Sequence, residues 1–155
     1  MCVSDFRVVA FTHRTAGMEE LGQFCVEEGL AGERLENIRR ATGARELLFL
    51  STCNRVEFFL LADDPEDEHL ADALLKNYKP EWEPARIEHA RAGCLLLRGT
   101  DALQHLFRVA CSLDSLVVGE REISAQIRTA YDRCREQGLT GDFMRIAVRG
   151  AQAIL

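Results

Sequence analysis

The chain has 155 residues, of which 25 are acidic and 19 basic, for a net charge of −6, and 47% are hydrophobic. That length supports one domain whose core needs no covalent staples, and a 28% charged fraction is ordinary for a globular chain. No apolar run approaches the ~18 residues of a membrane span. The start, Met1-Cys2-Val3-Ser4-Asp5, lacks the cationic and apolar regions of a secretory signal.

Phe6–Phe11 is a short apolar run and predicts a first strand, followed by the polar loop Thr12–Ala16. Met18, Leu21 and Cys25 recur at helical spacing from Gly17 to Glu28, with Gly29 as the stop. A second helical stretch, Gly32–Ala41, carries Leu35 and Ile38 and stops at Gly43. Leu47–Thr52 and Val56–Ala62 read as two strands with Cys53-Asn54-Arg55 at their joint. Asp64-Pro65 has the cap and first-position chemistry of a helix start, and Leu70, Leu74 and Tyr78 form the stripe that follows.

Pro80–Gly99 carries the weakest pattern, with one possible strand at Cys94–Leu97. Asp101 and Gln104 then have capping-box spacing. Leu103, Leu106, Phe107, Ala110, Leu113 and Val117 form one stripe, which leaves His105 on the polar side with Arg108 and Ser112. Glu122–Gln137 predicts a helix with Ile123, Ile127, Ala130 and Cys134 on one face, closed by Gly138. A last helix over Asp142–Leu155 places Phe143, Ile146, Ala147 and Ile154 inward. This order of elements predicts an α+β fold: a small sheet with helices and a helical C-terminal part, the strand order left open.

Charge is uneven. Glu57–Glu88 holds ten acidic and three basic residues, whereas the remainder holds 15 acidic and 16 basic. Seventeen of the 19 cations are arginines, suited to bidentate contacts with phosphate and carboxylate. Arg14, Arg55, Arg108, Arg121 and Arg128 lie outside the acidic stretch or in the polar motifs, which is compatible with a polyanion approaching one face. The six cysteines include no CxxC pair and read as reduced thiols in the cytoplasm, with no metal site expected.

Cys53 sits between two apolar runs, where a chain reversal brings it near the surface. It is either a small turn residue or a nucleophile. In the second case Arg55 favours the thiolate, and Thr52 and Asn54 supply hydrogen bonds. His105 is either a solvated helix residue or a general acid or base. Leu113–Glu120 places Asp114, Ser115 and Glu120 among apolar residues, as a helix-end cap or as the polar rim of a pocket. Neither GxGxxG nor GxxxxGK[ST] occurs.

Leu50–Glu57 (LSTCNRVE) resembles the signature LSTCNRTE of glutamyl-tRNA reductases. His105–Ala110 with Leu113–Glu120 resembles that family's HLFRVASGLDSLVLGE, and Phe11–Ala16 is similar to its NHKTA motif. The resemblance implies a ferredoxin-like α/β sandwich. It also implies reduction of the glutamyl group of glutamyl-tRNA to glutamate-1-semialdehyde, by NADPH, in tetrapyrrole (porphyrin, haem) biosynthesis.

By the same match Cys53 is the nucleophile that forms a thioester, and His105 is a second catalytic residue. Arg55 binds the glutamyl carboxylate, and Ser115, Glu120 and Gln126 contact substrate, Glu120 as a partner for the α-ammonium. Arg121 and Glu122 match by position only, since the family has Pro and Gln there. Ala125 and Ser112 replace glycines, and Gly17 replaces a proline.

Residues 1–140 are expected to be the catalytic domain, and 141–155 the start of a helix leading to an NADPH-binding domain absent from this chain. Such a chain is expected to form the thioester or hydrolyse the ester without making semialdehyde. The whole protein is expected to be a homodimer through a further absent domain, with no membrane contact. The altered loop Arg121–Ala125 also admits a non-catalytic module that binds tRNA, haem or a partner protein.

Overall fold

The computed structural model describes residues 2–63, 66–111 and 122–153. Four strands are present among them: β1 (Phe6–Thr12), β2 (Ala44–Ser51), β3 (Arg55–Ala62) and β4 (Leu95–Arg98). Seven helices accompany them: α1 (Met18–Gly22), α2 (Glu28–Thr42), α3 (Asp67–Tyr78), α4 (Pro84–Ala92), α5 (Thr100–Ala110), α6 (Glu122–Glu136) and α7 (Asp142–Ala153). The sheet order is β2-β3-β1-β4, and every neighbouring pair is antiparallel. With helices between β1 and β2 and between β3 and β4, this is the ferredoxin-like βαββαβ arrangement that the resemblance implies.

Every residue of β1 and β3 is buried, so both faces of the central strands are covered. Alternation assigns the faces. Phe6, Val8, Ala10 and Thr12 of β1 stand opposite Leu61, Phe59, Glu57 and Arg55 of β3 on one face. That face meets α5 and α7: Phe59 lies against His105 and Phe6 against Phe143. The opposite face carries Phe11, Phe58 and Phe49, which pack on Phe24 and Tyr78. The result is a sheet between two helical layers.

Several boundaries differ from the sequence pattern. The helix expected over Gly17–Glu28 is only α1, and α2 begins at Glu28 and runs through Gly29 and Gly32. Burial of Leu35 and Ile38 against the sheet outweighs the propensity cost of two glycines. The stop at Gly43 holds: its φ of 69° is the left-handed cap position.

α3 starts at Asp67, and Asp64-Pro65 lies outside the described residues. The weakly patterned stretch contains α4, with Pro84 in its first turn, and β4 begins one residue later than expected. The Asp101–Gln104 capping box does not form, because the N-cap of α5 is Gly99, with no side-chain cap bond. On α7 the inward residues are Met144, Ala147, Val148 and Ala151, whereas Ile146 is 58% exposed.

A buried carboxylate fixes the start of α7. Glu46 of β2 is 6% exposed, and its Oε1 accepts from the backbone N–H of Gly141 at 2.6 Å and of Met144 at 3.0 Å. Its Oε2 accepts from Phe143 N–H at 3.3 Å. Three donors left without intrahelical partners at a helix N-terminus are thereby satisfied from the sheet, almost a hundred residues away in sequence.

Candidate active site

β2 turns into β3 through Thr52, Cys53 and Asn54. Thr52 N–H donates to Arg55 C=O at 2.9 Å, which leaves Cys53 and Asn54 at the tip. Thr52 Oγ1 accepts from Asn54 N–H at 3.2 Å, and Asn54 C=O accepts from His13 N–H at 3.1 Å. The tip is therefore braced from within and by the chain leaving β1. Cys53 is exposed and makes no disulfide. The thiol therefore sits exposed on a tight reversal whose backbone is held by hydrogen bonds.

Arg55 and Glu57 are two apart on β3 and share the face under α5. Both are buried, at 2% and 0% exposure. Arg55 Nη1 lies 3.4 Å from Glu57 Oε2, and Glu57 Oε1 pairs with His105 Nε2. A carboxylate removed from water needs such partners, because an unpaired one costs several kcal/mol. His105, expected on the polar side of its helix, is instead 6% exposed. The reason is that α5 is covered on more than one side, by the sheet and by α7, so a residue off the main apolar stripe is also enclosed.

The expected surface arginines divide in the same way. Arg14, Arg108 and Arg128 are exposed, whereas Arg55 is an interior group. Nor does the acidic stretch lie wholly away from the site, since Glu57 is its first member and sits inside it.

The first turn of α6 completes a recess. Thr52, Cys53, Asn54 and Arg55 face Glu122, Ile123 and Gln126 around a volume of about 60 Å³. Glu122 and Gln126 are one helical turn apart and so share a face. The fold thus brings the cysteine motif together with three residues about 70 positions further along the chain. His105 joins through Glu57. Ser115, Glu120 and Arg121 lie outside the described residues.

Glu57 closes the LSTCNRVE motif and is not among the site residues that the resemblance implies. An acidic side chain two positions after Arg55, within the apolar run Val56–Ala62, was the available signal. Among the described residues no group of three or more His, Cys, Asp and Glu side chains is gathered as metal ligands would be. No described helix is long and apolar enough to cross a membrane.

Comparison with known proteins gives one answer. The family model for the glutamyl-tRNA(Glu) reductase N-terminal domain matches residues 9–154. A glutamyl-tRNA reductase of Deinococcus radiodurans is 36% identical over 151 residues, 96% of this chain and 39% of that protein. One from Shouchella clausii is 32% identical over 133 residues, 86% of this chain and 29% of that protein. The solved structure of glutamyl-tRNA reductase from Methanopyrus kandleri superposes with a TM-score of 0.77 at 30% identity, over 97% of this chain and 33% of that one. The chain spans about a third of the length of these relatives. On the match over residues 9–154, the chain belongs to the glutamyl-tRNA reductase family, in the part that forms its N-terminal domain.

Proposed function

We propose that this chain performs the acyl-transfer half of glutamyl-tRNA reduction. The Cys53 thiolate attacks the carbonyl carbon of the glutamyl ester. A C–S bond forms, the C–O bond to the terminal ribose breaks, and the released ribose oxygen takes up a proton. The product is a glutamyl thioester on Cys53. A thioester accepts hydride more readily than an ester and releases a thiolate easily, so this step prepares the reduction to glutamate-1-semialdehyde. That aldehyde would then enter tetrapyrrole synthesis. The observation that carries the reading is the exposed Cys53 in one recess with Arg55, Glu122 and Gln126.

In this reading Arg55 meets the glutamyl side-chain carboxylate, for which its planar fork is suited. Thr52, Asn54, Glu122 and Gln126 supply polar contacts around the recess. Ser115 and Glu120 are substrate contacts by family resemblance, Glu120 as the partner of the α-ammonium, and Arg121 is placed with them by position only. His105 holds Glu57, and through it Arg55, so its part is to position the binding group.

NADPH is the reductant the family reading implies. Neither GxGxxG nor GxxxxGK[ST] occurs in this sequence, so no step that needs a dinucleotide is assigned to these residues. The steps assigned to the chain therefore end at the thioester. Residues 1–140 would form the catalytic unit and α7 the start of the connection to the rest of a cytoplasmic, dimeric enzyme.

Incubation with glutamyl-tRNA labelled in the glutamyl group tests this. Label should become attached to the protein, be released by hydroxylamine, and be absent from Cys53→Ser. Labelling that survives Cys53→Ser would remove Cys53 from the mechanism. Tight tRNA binding with no acyl transfer would favour the non-catalytic module.

A further inference from the structure

A second cavity adjoins the Cys53 recess and has no part in the chemistry above. It is a groove of about 630 Å³ between α2, the end of β2 and α6, and Glu122 and Gln126 line both it and the recess. Its volume falls in the range of about 300–1,000 Å³ typical of sites for small organic ligands. We propose that this groove receives the terminal adenosine of glutamyl-tRNA while the glutamyl group occupies the recess. The proposal rests on the acyl-transfer reading.

The first argument is connectivity. The ester joins the glutamyl carbonyl to a ribose oxygen, so the terminal nucleoside must lie against whatever adjoins the recess. The groove does so through two shared side chains. A larger cleft of about 750 Å³, lined by His13, Arg14, Glu20 and His89, shares no residue with the recess. In that cleft Glu20 already engages His89 at 2.9 Å.

The second argument is chemical fit. Leu35, Leu50 and Ala130 give the groove apolar walls, and the half-buried Phe49 adds an aromatic ring. Flat bases bind on such surfaces without needing a specific sequence. β2 is an edge strand, and its register fixes which backbone groups face outward. Thr52 is hydrogen-bonded to Arg55, so in an antiparallel ladder Ser51 is a non-bonded position. Ser51 therefore keeps its N–H and C=O on the open edge, as Leu47 does in donating to Leu139 C=O at 2.8 Å. Ser51 lines the groove. One peptide N–H and one C=O are complementary to the acceptor N1 and the amino group of adenine.

The third argument is charge. Exposed Arg133 lies two helical turns beyond Gln126 on α6, a rise of about 10 Å. That length suits one nucleoside, with its 5′ phosphate at the arginine.

The test follows single-turnover acylation of Cys53 from two donors: glutamyl-tRNA, and a small glutamyl α-ester with no nucleoside. Ala125→Trp and Thr129→Trp, each at an exposed position on the groove wall, fill it separately. Each should slow acylation from subsaturating glutamyl-tRNA by about tenfold or more, while the small ester reacts within about twofold of wild type. Free adenosine should inhibit the first reaction and spare the second.

Unchanged acylation from glutamyl-tRNA in both variants, with wild type active, overturns the groove assignment alone. Equal losses with both donors in both variants also overturn it, since the groove would then be inseparable from the recess. Wild type that is acylated by neither donor overturns the acyl-transfer reading, and this assignment falls with it.

Discussion

Glu57 and His105 pair through Oε1 and Nε2 beneath α5, and the same carboxylate lies 3.4 Å from Arg55 Nη1. One fully buried group thus ties the strand that leaves Cys53 to the helix above it. The interaction is strong in geometry but not automatically a net source of stability, because two or three polar groups lose water to form it. Its clearer effect is on direction: Arg55 is held from the strand side while it lines the recess.

Glu57→Gln keeps the shape and removes the charge. Its amide NH₂ must then face either Arg55 or His105, both of which can present donors. We expect a loss of about 3 kcal/mol in stability, the low end for breaking a buried pair. Cys53 acylation should fall by about tenfold or more in protein that remains folded. Urea unfolding gives the first quantity and single-turnover labelling the second. A double-mutant cycle with His105→Gln should give a coupling of about 1–3 kcal/mol. Additive losses would show that the two side chains do not act together.

Much of this site was legible in the sequence, and the remainder was hidden for a physical reason. The joint between two apolar runs placed Cys53 on a reversal, and local pattern is enough for that. The meeting of Thr52–Arg55 with Glu122 and Gln126 is tertiary, and only the family resemblance grouped those residues. His105 was misplaced because a single stripe assumes one buried face, whereas α5 packs on both the sheet and α7. Ile146 was misplaced for a related reason: Met144, Ala147, Val148 and Ala151 form an equally regular stripe, and only the neighbouring helix decides between them. α4 was missed because its nine residues carry little amphipathic contrast and bury only Ile87 and Ala90.

The cysteines should separate by reactivity. Burial pushes the Cys134 and Cys94 thiols up from their ordinary value. A raised value means less thiolate at any given pH, and the thiolate is the form that alkylates. Cys53 and Cys25 are exposed, as is Cys2, whose bonds from Ser4 hold its thiol down. Brief iodoacetamide treatment at pH 7.5 should therefore label Cys2, Cys25 and Cys53 well before Cys94 and Cys134. Raising the pH should speed the half-buried Cys94 and the buried Cys134, whose thiols burial keeps protonated. Peptide mass spectrometry reads the order. Labelling of Cys134 as fast as Cys53 under native conditions would contradict the packing of α6 on β2.

Glu36 offers a pH test on the surface. The Arg39 guanidinium, bonded to both its oxygens, holds the Glu36 carboxyl below the usual carboxylate value of 4.5. A carboxyl depressed on folding contributes stability above its unfolded value, and that contribution disappears as the pH falls through the folded value. The pair is partly exposed, so its worth is about 0.2–0.5 kcal/mol. Glu36→Gln should lie below wild type by that amount at pH 7 in urea melts. The gap should narrow below pH 4.5 and close in stronger acid. A gap that widened on acidification would show that folding does not favour the Glu36 carboxylate.

Glu46 sets the register of α7 against the sheet, and its removal should be felt along the whole helix. Its carboxylate replaces water for three N–H groups at a part-buried helix start. Charge-assisted bonds are worth more than neutral ones, and the positive end of the helix dipole adds to them. Glu46→Ala should therefore cost about 2–4 kcal/mol, above the typical cost of losing an exposed cap. Glu46→Gln keeps one acceptor and should cost less.

Gly141 gives an independent check. A Cβ there would sit 3.1 Å from Glu46 Cδ and 3.3 Å from both carboxylate oxygens. Gly141 precedes α7, and its C=O accepts from Arg145 N–H at 3.1 Å, so it is the cap position, where alanine has no advantage over glycine. Gly141→Ala also makes the buried carboxylate give way, and it should destabilise. Combined with Glu46→Ala, the same substitution should cost clearly less, because the clashing group is gone and only the cap preference remains. Urea midpoints of the four proteins decide the matter. Equal effects of Gly141→Ala in both backgrounds would show that Glu46 is not what excludes a side chain there.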